Sequence, residues 1–220
     1  MEVIMAYRSL PTMLLLVLCA TLAACSNMEH RTDYAYQSAH GPGILHVGEI
    51  GNECVMELNG AISPDLVRAF EQAGEDLASR KCASKWIVLN SLGGNVDASY
   101  AVGNIIRNKG FNTRLSRIGG MCASACGMLF IAGVEREARD SMIVGTHLGF
   151  HQFSDEGRCL QPADKDYKEL FDYASHLLSS DGSAFFVKLV TDTGCRDLQS
   201  SISFKRLKDA GIITGENIGN

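Results

Sequence analysis

The chain lacks any run of basic residues. Its 20 lysines and arginines are scattered among 25 acidic residues, for a formal net charge of −5. The electrostatic footprint of a nucleic-acid binder is therefore missing. Past the N-terminal 25 residues there is no apolar stretch long enough to cross a membrane. No Cys-x-x-Cys pair occurs, and no histidine stands at zinc-ligand spacing from a cysteine pair, which argues against metal. Neither Gly-x-Gly-x-x-Gly nor a P-loop lysine is present, which argues against nucleotide binding. No internal repeat and no second domain are visible.

What is there begins with "MEVIMAYRSLPTMLLLVLCATLAAC". One basic residue, Arg8, precedes an apolar run from Met13 to Ala24, the length of a signal-peptide core. The run closes in Leu22-Ala23-Ala24-Cys25, which resembles the lipobox of bacterial lipoproteins. That resemblance implies that residues 1–24 are removed and that lipidated Cys25 becomes the mature N-terminus. Ser26, in place of Asp, points to the periplasmic face of the outer membrane. The plainer reading is an ordinary signal cut after Ala23-Ala24. Residues 25–43 are polar without apolar period and read as a flexible tether, leaving 44–220 as one domain.

Six cysteines follow Cys25: Cys54, Cys82, Cys122, Cys126, Cys159 and Cys195. An even number in an exported chain favours disulfides. The pairing expected is Cys54–Cys82, Cys122–Cys126 and Cys159–Cys195.

Two strands, 44–50 and 53–60, flank a turn at Gly51-Asn52. Ser63-Pro64 opens a helix whose Leu66, Val67, Phe70, Ala73 and Leu77 fall at helical spacing. A buried strand (85–91), a helix stopping at Gly110, a strand (112–118) and an apolar helix (123–133) come next. A strand-rich stretch (141–153), a helix (164–180), a shorter helix and a closing helix–glycine–strand complete the chain. Alternation of this kind predicts an α/β fold with mostly parallel strands.

Three stretches carry chemistry. In "LNSLGGNV", Gly93 and Gly94 follow a buried strand and precede a helix, a geometry that offers bare amides to an oxyanion. Taken alone, the pair reads first as a tight strand-to-helix turn. In "GGMCASACGMLFIAG", Ser124 stands near a helix start, where its hydroxyl is presented and the Ala125 amide follows. Alternatively, Ser124 is a small residue that permits close packing. If the chain bends at Ala123-Ser124, a Cys122–Cys126 bond braces that bend; in one continuous helix, cysteines four apart point poorly for a bond. In "HLGFHQF", His147 or His151 is a candidate general base, and a structural histidine is the rival reading.

Together these pieces resemble the Clp protease proteolytic subunit (ClpP) family, within the ClpP/crotonase fold. The matching elements are "LNSLGGNV", Ala123-Ser124 with "MLFIAG", His151-Gln152-Phe153, and Asp192-Thr193 with "AGIIT", in family order over roughly 44–215. The resemblance implies a repeated β-β-α superhelix, Ser124 as nucleophile, His151 as base, Asp192 as orienting acid, and Gly94 and Ala125 as oxyanion amides, with no cofactor. Leu92 replaces the family's proline. His147 competes with His151, and Asp197 with Asp192.

The implied activity is serine acyl transfer on peptide bonds. An exported form meets no ATP-driven unfoldase, so its substrates are short or unfolded peptides or a specific partner. Ring assembly in the family implies a homo-oligomer. Two other readings use the same fold: a non-catalytic peptide-binding or scaffolding lipoprotein, and a Ser-Lys dyad like that of signal peptide peptidase A, drawing on Lys85, Lys109 or Lys188. A crotonase-type acyl-CoA enzyme does not suit an exported chain.

Overall fold

The computed structural model describes residues 28–116, 120–139, 147–155, 158–161, 164–198 and 202–216. The signal segment, Cys25 and Gly119 lie outside these residues.

The chain opens with strands β1 (Glu29–Ser38), β2 (Gly41–Ile50) and β3 (Glu53–Asn59), paired antiparallel. Helix α1 (Pro64–Ser79) follows, then β4 (Ser84–Asn90), α2 (Val96–Asn108) and β5 (Asn112–Leu115). Short β6 (Cys122–Ala123) leads into α3 (Cys126–Ala132) and β7 (Arg136–Ala138). After β8 (Leu148–Gly149) come β9 (Ser154–Asp155), β10 (Arg158–Cys159), α4 (Lys165–Leu177), α5 (Ser180–Thr191), α6 (Phe204–Asp209) and β11 (Gly215–Glu216).

The main sheet runs β1-β2-β3-β4-β5-β7-β11, and every pairing from β3 onward is parallel. The expected mostly parallel α/β architecture is therefore present. A second, narrow layer lies beyond the carboxyl ends of β3 and β4. There β6 pairs with β8 in parallel, Ser91 bridges to Cys122, and Ile62 bridges to Gly94.

Apolar periodicity builds the helices. On α1, Leu66, Ala69, Phe70, Ala73 and Leu77 all face inward. Ser63 sits at its N-cap position, but its hydroxyl does not cap: it donates to the Gln37 carbonyl at 2.6 Å. Every residue of α3 is buried, which makes it the central helix. Arg136, the first residue of β7, is buried and donates to the carbonyls of Gly133, Val134, Gly211 and Ile212. Burial lowers its guanidinium to about 10.

Three disulfides are formed, with the expected pairing: Cys54–Cys82, Cys122–Cys126 and Cys159–Cys195. Among the described residues no helix is long and apolar enough to cross a membrane.

Two expectations are corrected. Residues 29–38 are a strand, not part of a tether. The inward half of their alternation is Tyr34, Tyr36 and Ser38, so the strand's buried face is written in residues that also suit a polar linker. The helix expected from 123 begins only at Cys126. Cys122 and Ala123 are strand, and Ser124 takes a left-handed conformation that no α-helix contains.

Candidate active site

The site starts from the two glycines after β4. Gly93 has φ +98° and Gly94 φ +142°, both in the region that favours glycine. The buried Ser91 hydroxyl accepts from the Gly93 N–H at 3.1 Å, and Ile62 N–H donates to the Gly93 carbonyl at 2.8 Å. A β-carbon on Gly93 would lie 2.7 Å from both the Ala123 oxygen and the Ser124 Cβ. On Gly94 it would lie 2.1 Å from the Ile62 oxygen. The loop is thus pressed against the serine on one side and against Ile62 on the other. Asn95 then caps α2, its side chain accepting from Ala98 N–H at 2.8 Å.

The serine stands on an elbow. Ser124 has φ +54°, a conformation costing a non-glycine residue about 1–3 kcal/mol unless the surroundings hold it. They hold it from three directions. Ala123 N–H donates to the Ser91 carbonyl at 3.0 Å, Ser124 N–H to the Gly149 carbonyl at 2.8 Å, and Gly127 N–H to the Ser124 carbonyl at 2.9 Å. The Cys122–Cys126 bond closes the ring around it, Cα to Cα 5.2 Å, with both cysteines fully buried. Within 122–133, Ser124 alone is not buried. Among the described residues no acceptor bonds to the N–H of Gly94 or of Ala125.

The histidine arrives by strand register. Cys122 pairs with Leu148 and Ala123 with Gly149, which brings His151 into line just past the elbow. Its Nδ1 lies 2.7 Å from the Gln152 carbonyl. A carbonyl only accepts, so the proton belongs on Nδ1 and the Nε2 lone pair is left to act as a base. Among the described residues, no hydrogen bond joins Ser124 Oγ to this ring. His147, the competitor, has φ +59° and offers its carbonyl to Cys122 N–H at 3.0 Å, a structural duty.

The acid's segment is brought alongside, while its side chain points elsewhere. Gln152 N–H donates to the Thr193 carbonyl at 3.2 Å and Gln152 Nε2 to the Thr191 carbonyl at 2.8 Å, so the two contacts bracket Asp192. The Cys159–Cys195 bond ties the same two loops. Yet the exposed Asp192 carboxylate pairs with Lys188 Nζ at 2.6 Å. Asp197 is exposed too, and its carboxylate lies against Gly194. Among the described residues, neither acid bonds to His151. Nor do the candidate lysines reach Ser124: Lys85 donates to the Ala78 carbonyl, Lys109 pairs with Glu75 at 2.7 Å, and Lys188 holds Asp192.

Gln152, Ser91 and Gly149 therefore do positioning work that the sequence did not signal. Only Gln152, adjacent to a candidate base, carried any hint.

No family model matches the chain, and no curated protein matches it. Solved structures do. The 1510-N membrane-bound stomatin-specific protease, as a mutant in complex with a substrate peptide, superimposes with a TM-score of 0.56 at 13% identity, covering 74% of each chain. ClpP1 from Listeria monocytogenes gives 0.55 at 17% identity over 76% of this chain and 92% of its own. The ClpP protease catalytic domain from Plasmodium falciparum gives 0.52 at 16%, over 77% and 86%.

This chain has the ClpP-type fold.

Identities this low carry the fold alone. Within the ClpP-type fold the narrow second layer sets glycine loop, serine elbow and histidine segment side by side, through the Ser91–Cys122 and Cys122–Leu148 pairings.

Proposed function

We propose that this chain is a serine peptidase that cleaves peptide bonds by acyl transfer, with Ser124 as nucleophile and His151 as base. One observation carries the reading: in a buried elbow, the single residue that reaches the surface is a serine in a left-handed conformation. Such a bend presents Oγ to a substrate carbonyl. The amides of Gly94 and Ala125 flank it and would stabilise the oxyanion as the tetrahedral intermediate forms. His151 takes the serine proton on Nε2 and returns it to the leaving amine; the Gln152 carbonyl keeps its tautomer correct. Asp192, the third member the resemblance implies, would have to leave Lys188 and take the place of the Gln152 carbonyl at Nδ1 to hold the imidazolium.

The test is labelling by a serine-reactive fluorophosphonate. Wild type reacts, whereas Ser124→Ala and His151→Ala do not; an unreactive wild type, oxidised and folded, overturns the reading. A peptide-binding scaffold is the second reading, favoured by the Lys188–Asp192 pair and by the lack of a Ser124–His151 bond. It expects peptide binding without labelling.

The chain is further proposed to be anchored through lipid on Cys25 to the periplasmic face of the outer membrane. Three disulfides suit an oxidising compartment. Incorporation of a fatty-acid probe that is lost in Cys25→Ala tests this. Assembly into a homo-oligomer is supported by Phe171, exposed on α4, and sedimentation of the full chain tests it.

A further inference from the structure

Gly94 is common to two pockets. On one side lies a cleft of about 460 Å³ with a mixed lining, Val96, Phe153 and Leu160 beside Asp97, Ser154 and Asp166. On the other lies a pocket of about 400 Å³ whose walls are Gly60, Ala61, Ser91, Leu92, Gly93 and His40. His40 comes from the turn between β1 and β2. That turn, and the strand before it, precede residues 44–215, the stretch that carries the family resemblance.

Topology puts the turn there. β2 runs antiparallel to β3, so its beginning lies at the carboxyl end of β3, with Ile44 opposite Asn59. The turn is fixed rather than free. Ser38 Oγ donates to the Gly41 carbonyl at 2.7 Å and accepts from His40 N–H at 3.2 Å. Behind it the Tyr36 ring is buried and fills the space that a side chain on Gly43 would need: a β-carbon there would fall 2.1 Å from the ring. The Ser63 hydroxyl on the Gln37 carbonyl and the Tyr34 hydroxyl on Asp76 pin the hairpin to α1.

The pocket's lining is apolar where it is exposed most. Leu92 is 74% exposed, the highest value among the large apolar side chains described. It stands directly before the glycine pair, and the resemblance places a proline there. Such a side chain gains by being covered.

We propose that the β1–β2 hairpin completes a subsite for substrate, in which His40 and Leu92 close over an aliphatic side chain of the bound peptide. The inference rests on the peptide reading of the Ser124 site. A chain whose carbonyl lies at the Gly94 amide passes between the two pockets and lays one side chain into each. The Leu92 pocket takes a residue of leucine size, and the hairpin is the wall that sets its upper limit.

The experiment measures peptide affinity on the full chain carrying Ser124→Ala, so that turnover does not enter. The probes are fluorescent hexa-alanine peptides with a single leucine placed at each position in turn. At one position leucine should tighten binding about tenfold over all-alanine. That gain, read as the ratio of leucine to all-alanine affinity in the same variant, should disappear in Leu92→Ser and shrink in His40→Trp, which fills the pocket from its rim. Leucine gains that persist in both variants, or no gain at any position, overturn the proposal. Fluorophosphonate labelling of the parent protein is scored separately: a labelled Ser124 with unchanged leucine selectivity removes the subsite and keeps the peptidase, whereas an unlabelled Ser124 with altered selectivity does the reverse.

Discussion

The two ends of the candidate site are built differently. At the nucleophile end, Cys122, Ala123, Ala125 and Cys126 are buried, the backbone bonds in three directions, and the disulfide is out of reach of solvent. At the acid end, Asp192 is exposed, paired with an exposed lysine, and braced by a disulfide whose Cys159 lies on the surface. The first end has its geometry imposed by packing, which tolerates one arrangement. The second is held by backbone contacts to Gln152, while its side chain answers to solvent and to whichever charge is nearest.

The largest expected effect lies at the buried end. Ser124→Ala or His151→Ala should lower peptide hydrolysis roughly a million-fold with the fold intact by circular dichroism. An equal loss in Asp192→Asn would erase the contrast between the ends.

Next comes Gly93→Ala. Its β-carbon meets backbone and the Ser124 Cβ rather than a flexible side-chain tip, in a φ that alanine resists. Activity should fall on the order of a hundredfold, and thermal unfolding should show a loss of about 1–3 kcal/mol.

The disulfides then separate stability from catalysis. In chain-entropy terms the Cys159–Cys195 bond, closing 36 residues, is worth about 4 kcal/mol, and the Cys122–Cys126 bond, closing 4, about 2 kcal/mol. Replacing both cysteines of a pair by serine should invert that order for turnover. Loss of the inner bond should lower kcat about tenfold or more with KM little changed, and loss of the outer bond should lower Tm further while kcat stays within a few-fold. Melting curves and steady-state kinetics on the two double variants decide it.

Asp192→Asn comes after these, at less than about tenfold in kcat, because the Gln152 carbonyl already holds the His151 tautomer.

The smallest effect concerns the hairpin surface, remote from the elbow. The Arg31 guanidinium, and after it His46, hold the Asp33 carboxyl down at about 2, against an ordinary 3.8. A depressed carboxyl contributes stability above its ordinary value and loses it as pH falls through about 2. Asp33→Asn should therefore lower Tm at pH 6 by no more than about 2 °C, and the difference should vanish near pH 2.

Much of the fold is legible locally. Pro64 after Ser63, the inward row Leu66–Phe70–Ala73–Leu77, and Gly110 with φ +67° mark helix boundaries with signals a few residues long. Strand β1 escaped because tyrosine alternation in a polar segment does not look apolar. The start of α3 was legible only as one of two alternatives, the bend at Ala123-Ser124 braced by Cys122–Cys126, because what decides it is bonding of Ala123 and Ser124 to Ser91 and Gly149, far away in sequence.

The sequence by itself determined the order of glycine pair, serine, histidine and acid, the six cysteines, and the periodicities that make an α/β chain. These depend on neighbours within a turn or two, and short-range preferences are written where they act. Tertiary structure alone decided that Gly93 would touch Ser124, that Gln152 rather than Asp192 would hold His151, that Lys188 would claim the acid, and that an N-terminal hairpin would wall a pocket beside Gly94. Each of those is a contact between segments tens of residues apart, and which of several polar partners a side chain takes depends on what packing brings within its reach.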